Sequence, residues 1–172
     1  MVGSVGSDWE ERVGALWEQL DEHEEEKFIA AVEALVGELP AGDARGPFER
    51  ACAYDSTGYS DLAAPLYREA LAAGLTGVRR RRAVIQLASS IRNLGRAAES
   101  AALLEDERAA GTDLLDDAVT GFLALALADT GREREALSLA LVALARHLPR
   151  YNRSLANYAR ELSEPETGPT PS

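Results

Sequence analysis

The chain has 172 residues, a formal net charge of −11, and 46% apolar and 27% charged residues. That length suits one well-buried domain or one short solenoid. The negative charge argues against a nucleic-acid partner, since a polyanion is repelled, and the single cysteine, Cys52, excludes an internal disulfide and a cysteine-rich metal site. Alanine and leucine outweigh the β-branched residues, which favours helix over strand.

Taken in order, residues 1–7 read as a disordered N-terminus, with neither the basic nor the apolar region of a secretory signal. Ser7 and Glu10 have the spacing of a capping box, which predicts a helix start there. Trp9, Val13, Leu16, Trp17 and Leu20 then share one face. The acidic stretch Asp21 to Lys27 separates this from a second apolar stripe of Phe28, Ile29, Val32, Leu35, Val36 and Leu39, which Pro40-Ala41-Gly42-Asp43 ends. Residues 8–40 are thus an N-terminal helix pair, two helices in preference to one, serving as a degenerate repeat or as a cap. Gly46-Pro47 suits an N-cap and first helical position, so a helix is expected from Pro47 to Thr57. Ser60 can cap the next one, running to about Ala73, and Pro65 inside it predicts a kink or a restart near Ala64. Arg79 to Leu94, Arg96 to Ala109, Asp113 to Thr130 and Arg132 to Leu148 are four further periodic segments. Pro149 ends them, and residues 150–163 read as a capping helix with Leu155, Tyr158, Ala159 and Leu162 inward. Residues 164–172, with three prolines, read as a disordered tail. The most apolar run, Ala118 to Ala128, falls well short of the roughly 20 residues a bilayer span needs. No membrane partner is expected, and the expected home is the cytoplasm.

Three phrases recur. Thr57-Gly58-Tyr59-Ser60, Leu94-Gly95-Arg96-Ala97 and Thr130-Gly131-Arg132-Glu133 each stand between two helical segments, with the glycines 37 and 36 residues apart. A fixed period of this size marks stacked supersecondary units, because one helix pair cannot cover its own apolar face. Small residues hold matching places: Ala51, Ala88 and Ala124 in the first helices, then Ala63, Ser100 and Ala136, with Ala70 and Ala143, in the second. Tyr67 and Leu104 stand at an aromatic or leucine place between them. In this the chain resembles a tetratricopeptide-repeat protein. The fold this implies is all-α: an α-α superhelical solenoid of tetratricopeptide-like helix hairpins. Three repeats would occupy residues 46–149, between the N-terminal pair and the C-terminal capping helix.

The resemblance also implies that the first helix of each pair lines a concave groove for a partner's peptide. Carried onto this sequence, the groove places are Phe48, Glu49, Cys52 and Asp55, then Arg82, Ile85, Gln86, Ser89, Arg92 and Asn93, then Ala118, Gly121, Phe122 and Leu125, then Arg153, Asn157 and Arg160 of the last helix. Arg82, Gln86, Ser89 and Asn93 recur at three- and four-residue steps and so share a helix face. The expectation is an apolar floor, hollowed at Gly121, between arginine-bearing walls, holding a peptide with apolar anchors and an acidic segment. The family's clamp for a terminal carboxylate is not matched, because Phe48 and Cys52 stand at its lysine and asparagine places. The run Arg79-Arg80-Arg81-Arg82 opposes the helix macrodipole and should find an offset in Glu69, Asp113, Asp116, Asp117 or a bound anion, internal pairing being the expectation. Alternatively, the acidic N-terminal pair, with Glu22, Glu24, Glu25 and Glu26, folds onto the arginines and fills the groove.

Nothing in the sequence points to catalysis, a cofactor or a metal. His23 and His147 lack a ligand spacing, and Cys52 between Ala51 and Ala53 reads as a buried structural thiol. The function expected is a non-catalytic protein- or peptide-binding scaffold. The alternatives are a homodimerising helical module without a groove ligand, and a regulatory domain sensing a small anionic or acyl ligand.

Overall fold

The computed structural model describes residues 4–163; the expected disordered tail, and the first three residues, lie outside them. The described residues hold nine α-helices and no strand. They are α1 (Ser4–Glu18), α2 (Glu25–Val36), α3 (Arg45–Ser56), α4 (Ser60–Ala72), α5 (Gly77–Asn93), α6 (Ala97–Ala110), α7 (Asp116–Asp129), α8 (Glu133–Ala145) and α9 (Asn152–Glu161). None of them is long and apolar enough to cross a membrane. The chain divides into two compact units, one running to Ser90 and the other from Ile91.

In the first unit α1 and α2 are separate helices, joined by a short 3-10 turn at Leu20–Glu22. The helix α1 starts a turn earlier than the capping-box reading of Ser7 places it. Phe28 is completely buried and packs with Val32, Val36 and Ala53, while Trp17 meets its ring edge-on at 5.0 Å. Both indoles carry their N–H to an acceptor on another element. Trp9 Nε1 donates to the Leu35 carbonyl at 2.8 Å, and Trp17 Nε1 donates to Glu49 Oε2 at 2.8 Å. A ring with a polar tip can thus be buried at no hydrogen-bond cost, and each one fixes α1 against α2 or α3. Arg50 on α3 reaches back to Glu33 on α2 at 2.9 Å. The helix α3 begins two residues before Pro47, at Arg45, whose N–H is accepted by the Asp43 carboxylate at 2.9 Å. Pro47 still lies in the first turn, where its missing N–H is harmless. The helix α4 runs unbroken past Pro65, whose ring lies on the exposed side, so no restart occurs at Ala64.

The three recurring glycines have one local cause. Gly58, Gly95 and Gly131 adopt φ of +89°, +78° and +80°. After each, the next residue's N–H reaches back across the turn: Tyr59 to Tyr54 O at 2.8 Å, Arg96 to Ile91 O at 3.0 Å and Arg132 to Leu127 O at 3.0 Å. The glycine N–H itself bonds three residues back in all three, the paired bonds of a Schellman cap. A side chain would strain this left-handed conformation, which is why the repeat shows in the sequence as glycine.

In the second unit α6 packs on α7, α7 on α8 and α8 on α9. Its buried apolar side chains include Ala101, Leu104, Val119, Leu123, Ala126, Leu127, Ala136 and Ala145, and Ser100, Glu107 and Ser138 are buried with them. Asp117 at the start of α7 holds the end of α8 through Arg146 at 3.1 Å and His147 at 2.8 Å. Arg132 joins α8 to Glu105 of α6 at 3.0 Å.

Candidate functional site

Arg79, the first of the arginine run, is offset from within the first unit. Arg79 donates to Glu10 at 3.1 Å and to the buried Glu49 at 3.3 Å. Arg45 also holds Glu10 at 3.1 Å and Asp43 at 2.7 Å. Burial works against the Glu10 charge, but the hydrogen bonds from Arg79 and Arg45 outweigh it and keep the carboxyl below its ordinary range. Asp43 is held low chiefly by its hydrogen bond from Arg45. Arg82 stacks its guanidinium over the Phe48 ring at 5.4 Å, and Arg80 and Arg81 are engaged as well. The acids that meet Arg79 are therefore Glu10 and Glu49. They are neither Glu22 to Glu26 nor Glu69, and Asp117 is taken up by Arg146 and His147.

The proposed groove residues divide between the units. In the first, Phe48, Glu49 and Cys52 are buried in the packing of α3 and face no open groove, Asp55 is half-buried, Ile85 is buried, Gln86 is half-buried and accepts from Cys52 Sγ at 3.5 Å, and Ser89 is half-buried. Ser90 donates to Asp55 at 2.8 Å and Tyr67 donates to the same carboxylate at 3.4 Å. Burial pushes the Asp55 carboxyl above its ordinary range despite those two bonds. Burial, helped by the Glu49 charge, pushes the Cys52 thiol up to about 12. A thiol so placed stays protonated at neutral pH and makes a poor nucleophile.

In the second unit Arg92 stands 2.7 Å from Asp129, a charge contact off the hydrogen-bond line, and Asn93 is exposed. Phe122 is half-buried and Leu125 is exposed, one turn apart on α7. Beside Phe122, Gly121 opens onto empty space, where an added Cβ would meet nothing within 4 Å. The last helix supplies Arg153, Asn157 and Arg160, all exposed, with Arg160 donating to Asn157 at 3.1 Å.

Arg153 and Arg160 come together around an open cleft of about 470 Å³ between α8 and α9. Val142, Ala145 and Ala156 form its apolar part, while Arg146 and Asn152 complete the rim. Two other clefts, both in the first unit, are lined by charges of both signs. One of about 250 Å³ sets Arg50 against Asp43 and Glu69; another of about 410 Å³ sets Arg45 and Arg79 against Asp43. The α8–α9 cleft has three arginines and no carboxylate among its lining residues. In a chain of charge −11, that leaves Arg153 and Arg160 as a local excess of positive charge, since Arg146 also pairs with Asp117. The cleft can take a carboxylate or phosphate by charge-assisted, bidentate hydrogen bonds, with an apolar surface beneath. Arg146 was not among the residues expected from sequence. Arg153 and Arg160 lie two turns apart on α9, but Arg146 ends a second helix, and the seven-residue step from it to Arg153 carries no helical meaning. The helix is broken between them at Pro149 and Tyr151, the latter at φ +64°. Among the described residues no cluster of acids, histidines or cysteines could hold a metal.

A family model described as Tetratrico peptide repeat matches residues 44–162. A crystal structure from Podosopora anserina, of nearly identical TPR-like repeats in a chain described as a kinesin light chain, superposes with a TM-score of 0.67 at 17% identity. The match covers 92% of this chain and 96% of that one. No curated protein matches the sequence. The fold class is all-α, that of the α-α superhelical solenoids with tetratricopeptide-like hairpins.

Proposed function

The chain belongs to the tetratricopeptide-repeat family, and from that premise we propose that it is a non-catalytic scaffold that binds a protein or peptide. Such repeats generally act by holding a partner. The observation that supports the finer reading is the α8–α9 cleft, where Arg146, Arg153 and Arg160 converge with no acid among the lining residues. A partner segment with acidic side chains and one or two apolar anchors fits it: the carboxylates pair with the guanidinium groups, and the anchors cover Val142, Ala145 and Ala156. In the second unit the exposed Leu125 and the hollow at Gly121 and Phe122 offer a further apolar contact. In the first, Arg82, Gln86 and Ser89 present polar groups beside the buried Ile85.

The test is binding of a panel of fluorescent acidic peptides, with and without apolar anchors, to the full chain and to an Arg153→Glu, Arg160→Glu variant. Both arginines are exposed, so helical content should be unchanged. The expectation is a loss of ten-fold or more, at about 1.4 kcal/mol per factor of ten, and a marked weakening of the wild-type complex by salt. Equal binding by the variant would remove the cleft from the reading. Thermal stabilisation by a small carboxylate or phosphate, but by no peptide, would favour the anion-sensing alternative.

A further inference from the structure

Most arginines of this chain are met by acids. Arg45, Arg50, Arg79, Arg132 and Arg146 each pair with a carboxylate. Among the described residues Arg153 and Arg160 have no such partner, and Arg160 donates to Asn157 at 3.1 Å instead. Acids are not scarce, since the chain holds 29 of them against 18 basic residues. Those next in sequence are Glu161, Glu164 and Glu166. Glu161 points about a quarter-turn away from both arginines round α9, which leaves Glu164 and Glu166.

The chain leaves α9 beside the cleft. Arg153, Ala156, Arg160 and Ser163 follow one another at three- and four-residue steps and lie along one side of the helix. That row ends where Arg134 donates to the Leu162 carbonyl at 3.2 Å and Ser163 Oγ meets Ser138 Oγ at 3.4 Å, which ties the exit to α8. Residues 164–172 follow and lie outside the described residues. They contain Glu164 and Glu166, three prolines and no basic residue. Pro165 bars the helix from running on. The way back along α9 from Ser163 to Arg153 is about 15 Å at helical rise. Residues 164–172, if extended, would span about 30 Å, so their length suffices twice over.

We propose that residues 164–172 turn back over the α8–α9 cleft and occupy it until a partner takes their place. This rests on the reading of that cleft as a peptide site and adds how the site is controlled. Glu164 comes first and reaches Arg160. Glu166, about 7 Å further along an extended chain, reaches toward Arg153. Pro165 and Pro169 cover Val142, Ala145 and Ala156. The segment thus has what the cleft is suited to take, carboxylates with apolar anchors. Being tethered, it needs little affinity of its own, because a short link gives an effective concentration in the millimolar range. A partner binds only the fraction of chains whose cleft is open, and its apparent affinity falls by that fraction.

A nitroxide at Thr167→Cys in the full chain reports the contact with no partner present, since the buried Cys52 does not compete for the label. At low salt it is expected to broaden the amide signals of Val142 and Ala156, equally at high and low protein concentration. Glu164→Gln with Glu166→Gln is expected to relieve at least half of that broadening, with the helical circular dichroism retained. The same two substitutions, without the label, are expected to tighten binding of the acidic fluorescent peptides three-fold or more. Broadening that the glutamines leave unchanged, or that fades on dilution, overturns the inference. So does a measurable peptide affinity that is equal for the two chains. If the glutamines relieve the broadening but no peptide binds either chain, the segment's hold on the cleft stands and the partner reading falls. If peptides bind and the broadening is absent, the partner reading stands and this inference falls.

Discussion

The two compact units are built from the same helical hairpin and held together by different means. The unit before Ser90 contains both tryptophans, a fully buried phenylalanine, and a buried glutamate that accepts from an indole and a guanidinium together. The two indoles and the glutamate each have one orientation in which the polar tip is satisfied, so each fixes how one helix is rotated and shifted on the next. The unit from Ile91 onward packs mostly alanine and leucine, with Glu107 its one buried acid among the described residues, and its pairs Arg132 with Glu105 and Arg146 with Asp117 lie at an exposed rim where a pair contributes little. Small side chains bring helices close without dictating a single neighbour. That unit also carries the exposed Leu125, Leu137 and Leu144. The difference teaches that one repeat plan can supply a locked end and an end with surface to spare.

The largest expected effect falls on the locked unit. Phe28→Ala should cost about 3–5 kcal/mol, read by chemical denaturation, and should expose the amides of α1 and α2 to hydrogen exchange before those of α7 and α8. If both regions lost protection together, the two units would be one cooperative body, and the contrast would fail. Next is Glu49→Ala, which leaves the Trp17 N–H and the Arg79 guanidinium without this acceptor, at a cost of about 2–4 kcal/mol. A loss no greater than that of an exposed rim pair such as Arg132 with Glu105 would erase the distinction between the units' ion pairs.

Glycine caps are common to both units and should respond alike. Gly58→Ala and Gly131→Ala should each cost about 1–2 kcal/mol, the penalty of placing a Cβ in the left-handed region. Open space surrounds both, so no clash adds to it. The two costs should sum in the double variant.

The smallest effect is a pH dependence whose sign differs within the first unit. Glu10 and Asp43 have lowered carboxyl values, so the stability they confer is present above the unfolded value and lost as pH falls through the folded one. Asp55 has a raised value, so its contribution is present below the unfolded value and lost as pH rises through the folded one. Asp55→Asn, which keeps an acceptor for Ser90, should therefore stabilise the chain at pH 7 and lose that advantage near pH 4. Denaturation midpoints at the two pH values read it directly, and a gain that persisted unchanged at low pH would contradict the burial of that charge.

Much of the architecture could be read from the residues because its causes are local. The left-handed caps admit little but glycine, so Gly58, Gly95 and Gly131 announced the hairpins. Helix starts were less legible. None of the described helix N-caps carries a side-chain cap bond: Tyr59 stands where Ser60 was expected, and α3 opens on the carboxylate of Asp43, two residues ahead of Arg45. Arg153, Asn157 and Arg160 were expected through the family resemblance, but Arg146 stands beside them across a break in the helix, which no pattern in the last helix could signal. The partner of Arg79 was beyond reach of any local pattern, since Glu10 lies 69 residues away.

The Schellman caps have a consequence for how fast the chain can find its structure. Each turn is closed by hydrogen bonds spanning only a few residues, so a hairpin can form before distant segments meet. Topologies dominated by such short-range contacts fold in microseconds to milliseconds, well ahead of the seconds that a long-range sheet of similar size can require. A newly made hairpin of this chain has its bend in place as soon as its glycine and the residue after it are free to turn back.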